Sequence, residues 1–311
     1  MKKLPTWLFA VLGLSASTFA QPKVVAYVPN WIELRSFAET IDYAKLTHIN
    51  IAFENPVNAE GELSFHQKNL ALIARAQTNG VKVMVSIGGG SASGNKTLLN
   101  RYFDLVSNAK RAGFAAKLTD YVSRHGFDGL DVDIEGPAIN QDYGAFIAEL
   151  AKALKPRGKL LTAALSQGYG GDKVPDTVFA QLDFVNIMAY DGAGYWDTNA
   201  PGQHSSMEFA KANVAYWLKR GLPKSKAVLG VPFYGYSWAG GGGAKPTVTL
   251  LTFGKLSEHA ARLGFARGVF EIAGLGTITL GAEDRWEGPP PKLVCLAGND
   301  AAYRGGAKDV A

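Results

Sequence analysis

Short apolar runs alternate along the chain with stretches of helical periodicity. The apolar runs are Val24–Val28, stopped by Pro29, then Leu46–Phe53, Val81–Ile87, Phe127–Glu135, Leu160–Ser166, Phe184–Tyr190 and Ala227–Tyr234. Each reads as a strand covered on both faces. Helical patterns lie between them over Leu70–Ala76, Lys110–His125, Tyr143–Leu154 and Phe209–Lys219, with Gly80 and Gly126 as stop signals. Strands that alternate with helices imply parallel pairing through crossovers. Seven such units predict an α/β fold, a (β/α)8 TIM barrel with one strand still to be found. An open doubly wound sheet is the rival. Its phosphate loop is missing, because Ser86-Ile87-Gly88-Gly89-Gly90 lacks the dinucleotide spacing. Trp31, Ser86, Glu135, Gln167, Tyr190 and Asp191 fall at the carboxyl ends of the predicted strands. A barrel gathers those ends on one rim, where active sites sit.

The fourth run is unlike the others. In FDGLDVDIE the acids Asp131, Asp133 and Glu135 take every second position, and Leu130, Val132 and Ile134 fill the places between. Alternate side chains of a strand point to opposite faces, so the acids share one face and the aliphatics the other. A solvated strand face, an oxygen-ligand site for a hard cation, and acid/base chemistry on a polar substrate are the three readings. Phe127 and the aliphatic face argue for burial against the first. Acids on one rigid strand do not wrap an ion as a loop does, which weighs against the second. The third uses the arrangement, since neighbouring acids keep one carboxyl protonated near neutral pH.

Composition narrows the setting. Residues 1–20 read as a secretion signal: Lys2 and Lys3, an apolar run from Trp7 to Leu14, and Thr18-Phe19-Ala20 as the cleavage site. The apolar run is too short for a membrane span, and no later stretch is long and apolar enough. A secreted protein, extracellular or periplasmic, is expected, with 21–311 forming one catalytic barrel. The 32 Lys and Arg against 27 Asp and Glu give +5, and removal of Lys2 and Lys3 leaves +3. That mild charge, without a basic run, makes nucleic acid an unfavoured partner. With Cys295 as the single cysteine, no internal disulfide is available, so the core must hold the fold.

The motifs resemble glycoside hydrolase family 18, the chitinases and their relatives. Phe127–Glu135 matches the DGxDxDxE signature at every position, Ser86-Ile87-Gly88-Gly89 is similar to the SxGG motif, and Met188-Ala189-Tyr190-Asp191 resembles MxYD. Leu46–Phe53 and Gly230–Gly235 resemble the family's second and seventh strands, so the likeness runs from about Lys23 to Trp238. It implies substrate-assisted, retaining hydrolysis of β-1,4 bonds next to N-acetylglucosamine, expected to be internal, by a monomer that needs no cofactor or metal. Chitin or chito-oligosaccharides are the implied partners. Glu135 is implied as the general acid, its proton affinity raised by Asp131 and Asp133. Asp133 is implied to hold the acetamide N–H, Tyr190 the acetamide carbonyl, and Asp131 a proton or countercharge. Met188, Asp191, Ser86, Trp31 and Trp238 are the implied substrate contacts, with Ser86 beneath the acids as a donor. Asp128 lies off the acid face and is expected to be structural.

After Trp238 the pattern departs from the family. No eighth strand ending in Trp is found. Gly268–Ile272 is a short candidate, and Gly274–Leu280 resembles a segment before the last helix. From about residue 245 the end reads as divergent, truncated or frame-shifted, and the barrel closure is expected to be atypical. Two other functions remain: an endo-β-N-acetylglucosaminidase acting on N-glycans, and a chitin-binding lectin-like protein with weak or no activity. The intact Glu135 and the MxYD match favour the chitinase.

Overall fold

The computed structural model describes residues 22–236, 247–253, 276–281 and 294–298. The expected signal, Trp238 and the candidate strand Gly268–Ile272 lie outside the described residues. Seven strands follow one another in one parallel sheet: β1 (Val25–Pro29), β2 (His48–Ala52), β3 (Lys82–Gly88), β4 (Gly129–Asp133), β5 (Leu160–Leu165), β6 (Phe184–Ile187) and β7 (Ala227–Leu229). Between them run α1 (Leu34–Thr40), α2 (Asn69–Thr78), α3 (Gly90–Gly94), α4 (Lys96–Val106), α5 (Arg111–Arg124), α6 (Tyr143–Leu154), α7 (Val178–Gln181) and α8 (Met207–Lys219). Four of these helices, α1, α3, α4 and α7, were not legible in the periodicity. α1, α3 and α7 are seven, five and four residues long, too short to show a period, and α4 starts at its cap, where Asn95 accepts the amides of Thr97 and Leu98.

The apolar face of the sheet packs on the helices. Leu130, Val132 and Ile134 of the acid run are at most 2% exposed, and Phe127, Phe114, Phe146 and Leu118 join them in one core. Phe114 of α5 stacks on Phe146 of α6 with centroids 5.5 Å apart. Burial of each such side chain contributes about 1.5–3 kcal/mol. Asp128 is structural, as expected: its Oδ2 accepts the Val83 amide and the Gln77 side chain, tying β4 to β3 and α2.

The other face turns inward. Parallel pairing sets Ser86 opposite Asp131, and Asp131 opposite Thr162. The sheet curls far enough for β1 and β6 to touch across the interior, since Asn186 donates to the Tyr27 hydroxyl at 2.9 Å. His48 of β2 likewise meets Phe184 of β6 edge-on at 5.0 Å. This is the curl of a barrel, incomplete among the described residues. Among the described residues no strand pairs with both β1 and β7.

The carboxyl-terminal part differs from the expectation in detail. Strands β8 (Thr247–Phe253), β9 (Gly276–Gly281) and β10 (Val294–Gly298) form a second parallel sheet in the order β10-β8-β9. Gly274–Leu280 therefore falls largely on a strand, and Cys295 lies on β10. β7 is also shorter than Ala227–Tyr234. The Gly230 amide still reaches the Ile187 carbonyl at 2.8 Å, but β6 ends there and Pro232 has no N–H to continue a ladder.

Candidate active site

Asp131 sits at the centre of the inward face, fully buried. Four donors from four other strands meet it: Tyr27 Oη at 2.7 Å, Ser86 Oγ at 2.8 Å, Thr162 Oγ1 at 2.6 Å and Asn186 Nδ2 at 3.3 Å. Burial pushes its carboxyl above the ordinary range, and these four hydrogen bonds pull it back. A carboxylate with four donors has its lone pairs filled, which favours the anion and leaves no oxygen free to wrap a cation. The solvated-face reading fails on burial.

Asp133 lies one alternation further along, 7% exposed, and its Oδ1 is buried without a hydrogen-bond partner. Burial, then the charges of Glu135 and Asp131, push its carboxyl well above the ordinary range. Its main chain is held more firmly than its side chain. The Asp133 carbonyl accepts the Gly89 amide at 2.7 Å, and a Cβ at Gly88 would stand 2.2 Å from that oxygen. Gly88 and Gly89 adopt φ of 103° and 71°, so glycine is required twice over where β3 passes β4.

Glu135 follows the end of β4 and opens into a cleft of about 690 Å³. Its carboxyl is pushed up to about 7, first by burial and then by the charge of Asp191. The sequence reading named Asp131 and Asp133 as the causes; the loss of water and the rim acid Asp191 join them, with Asp133 and Glu135 coupled to each other. Burial, followed by the charges of Asp133, Asp191, Glu135 and Asp131, pushes the Tyr190 phenol far above its ordinary range, so it remains a donor. Met188, Tyr190 and Asp191 line the same cleft as Glu135.

Of the predicted contacts, Ser86 is the donor beneath the acids, and Trp31 stands apart from the lining of this cleft. Ser86 is fully buried and spends its hydroxyl on Asp131, so it supports the acids and touches no ligand. Trp31 is 70% exposed at the end of β1 and does not line this cleft. Trp238 lies outside the described residues. The aromatic lining comes instead from Tyr169, Tyr195, Trp196 and Tyr236. The sequence reading assigned none of these four. It missed Tyr27, Thr162 and Asn186 altogether; inward alternation on their strands was the available signal. Tyr169 is seated by Gly136, where a Cβ would meet its ring at 2.2 Å.

Comparison with known proteins places this geometry. Residues 23–282 match the model of the family described as glycosyl hydrolases family 18. Chitotriosidase-1 of Mus musculus is 29% identical over 277 residues, covering 75% of this chain and 57% of that protein. The chain spans about half the length of the curated relatives it matches. The structure of the GH18 chitinase ChiB from the chitin utilization locus of Flavobacterium johnsoniae superposes with a TM-score of 0.65 at 36% identity, covering 70% of each chain. A GH18 chitinase from Cycas revoluta in complex with (GlcNAc)3 gives a TM-score of 0.60 at 26% identity, covering 69% of each chain.

Proposed function

The chain belongs to glycosyl hydrolases family 18, and from that membership we propose that it is a secreted chitinase cleaving β-1,4 bonds between N-acetylglucosamine units inside chitin or its oligomers. The observation that carries this reading is the gradient along the acid face. Asp131 is saturated with donors, Asp133 has an oxygen with none, and Glu135 holds its proton up to about 7 at the cleft. Solved relatives bound to chito-oligosaccharides supply the substrate class.

In this mechanism the nucleophile is the substrate's own N-acetyl oxygen, the substrate-assisted exception to the two-carboxylate pattern. Glu135 gives its proton to the leaving glycosidic oxygen as the acetamide oxygen bonds to the anomeric carbon. The acetamide N–H is the donor that Asp133 Oδ1 lacks, and the carboxylate of Asp133 then balances the positive charge of the cyclic intermediate. The charge of Asp131 adds to the proton affinity of Asp133, so Asp133 and Glu135 share a proton, and it passes to Glu135 when the acetamide N–H reaches Asp133. The three acids therefore titrate as one coupled set. The Tyr190 phenol donates to the acetamide carbonyl oxygen and orients it. Glu135, now a carboxylate, takes a proton from the water that opens the intermediate, and the anomeric configuration is retained. Met188 and Asp191 border the acetamide-bearing sugar, and the aromatic wall of the cleft offers faces to neighbouring rings.

Glu135→Gln tests the assignment, because an amide holds the shape and cannot give the proton. Turnover of chitotetraose is expected to fall by about 10³-fold or more while binding is kept. Near wild-type turnover, measured by product chromatography, refutes it. The same assay with an N-glycan substrate separates the endo-β-N-acetylglucosaminidase reading.

A further inference from the structure

Asp191 has a backbone that its neighbours must hold. Its φ is +61°, the one left-handed non-glycine conformation among the described residues. For an L residue this costs about 1–2 kcal/mol. A histidine from the following loop supplies the support. The Asp191 amide donates to His204 Nδ1 at 3.3 Å, and the Gly192 amide donates to the His204 carbonyl at 2.9 Å. Nε2 of the same ring lies 3.1 Å from the Tyr234 carbonyl. The His204 side chain is 14% exposed. Tyr234 and Tyr236 lie against the ring, with centroids 5.4 and 5.0 Å away, and each donates its hydroxyl to Asp191 Oδ1 at 2.8 Å.

These contacts fix the proton on the ring. An amide N–H only donates and a carbonyl only accepts, so Nδ1 carries the lone pair and Nε2 the hydrogen. Nδ1 also stands 3.4 Å from Asp191 Oδ1. With a neutral ring that contact sets a lone pair beside a carboxylate. With a doubly protonated ring it becomes an ion pair, and the Asp191 amide loses its acceptor.

We propose that His204 is a positioning residue for the acid chemistry at Glu135: as the neutral Nε2–H tautomer it holds Asp191 in its left-handed turn with the carboxylate charge free to act on the cleft. The inference rests on Glu135 acting as the acid, and it assigns a residue that touches no substrate. Asp191 and Glu135 line one cleft, and the Asp191 charge is the electrostatic contribution that raises Glu135. Cancelling it narrows the pH range over which Glu135 keeps its proton. The other titratable groups packed on the ring are the phenols of Tyr234 and Tyr236. Burial and their bonds to Asp191 push both far above their ordinary range, so they stay neutral. Tyr190, edge-on to Tyr234 at 6.1 Å, stays neutral for the reasons given above.

The test compares His204→Ala with His204→Asn. The Asn side-chain oxygen can accept the Asp191 amide and never gains charge. Ala is expected to lower kcat/KM on chitotetraose about tenfold, chiefly in kcat, the scale of a slightly displaced group. Its alkaline limb should move down by about half a pH unit, because Asp191 is no longer held facing Glu135. Asn should restore most of the rate and return the limb to its wild-type position. A second readout needs no substrate: 15N NMR of the imidazole in the Glu135→Gln protein should report the Nε2–H tautomer. An Nδ1–H tautomer overturns the proposal. So does an Ala variant with the wild-type pH profile, or an Asn variant that loses as much as Ala. Wild-type protein that leaves chitotetraose uncut would sink the chitinase reading, and the tautomer would still decide this one.

Discussion

Two regions of this molecule bury carboxylates, and they do opposite things with them. Glu54, just past β2, is fully buried, and its two oxygens take five hydrogen bonds. Asn30, Ser64, Asn69 and both the ring and main chain of His66 are the donors. This corner ties the loop after β1 to the loop after β2 and to the start of α2. Asp133, on the inner face of β4, is buried nearly as deeply and has an oxygen with no donor at all. Burial alone therefore does not mark a reactive acid. A filled set of lone pairs makes a brace, and an unfilled one beside other charges stores proton affinity that a substrate can draw on.

The contrast is open to attack at both ends. Asp133→Asn carries the largest expected effect on rate. Loss of the charge that balances the cyclic intermediate should cut kcat by about 10²–10³-fold, with thermal stability unchanged or raised. A variant that unfolds instead would put Asp133 in the same class as Glu54. Glu54→Gln should act on stability. Gln keeps one oxygen for the donors on Oε1 but removes the charge and turns an NH2 toward Ser64, which should cost about 1–3 kcal/mol, read by urea denaturation. The folded fraction should keep its kcat to within a few-fold. If kcat falls as steeply as in Asp133→Asn, the brace reading of Glu54 is wrong.

The smallest effect is in the pH dependence of stability. Glu135 titrates near 7 in the fold and near 4.5 unfolded, so between these values the folded state binds more protons. Stability is therefore fully present below pH 4.5 and declines as pH rises through 7. Allowing for the solvent that reaches this carboxyl, the loss is about 1–2 kcal/mol. Glu135→Gln should remove it, raising Tm over wild type by a few degrees at pH 8 and by almost nothing at pH 4.5. Equal Tm differences at both pH values would mean that Glu135 is not perturbed by its surroundings.

Legibility followed range along the chain. The strands were readable because most are short, mainly apolar runs and β4 alternates acids with aliphatics, and Tyr143–Leu154 was placed to the residue by its period. Helices α1, α3 and α7 are short and take their shape from packing, so no period announced them. Strands β8 and β10 went unread although Thr247–Leu250 alternates, and the seventh strand was read too long because Val231-Pro232-Phe233 continues the apolar run while Pro232 has no N–H to pair. Ser86 and Trp31 were placed at strand ends correctly. Whether a strand-end residue faces the cleft or the floor beneath it depends on neighbours that the strand itself does not name.

The order of the three acids belongs to the sequence. Side-chain direction in an extended chain repeats every two residues and needs no partner, so DVDIE alone puts Asp131, Asp133 and Glu135 on one face. The difference in their chemistry belongs to the tertiary structure. Tyr27, Ser86, Thr162 and Asn186 stand 104, 45, 31 and 55 residues away from Asp131, and Asp191 reaches Glu135 from another strand's end. Proton affinity is set by how much water is excluded and which donors and charges stand nearby, and only the curl of the sheet brings those groups together.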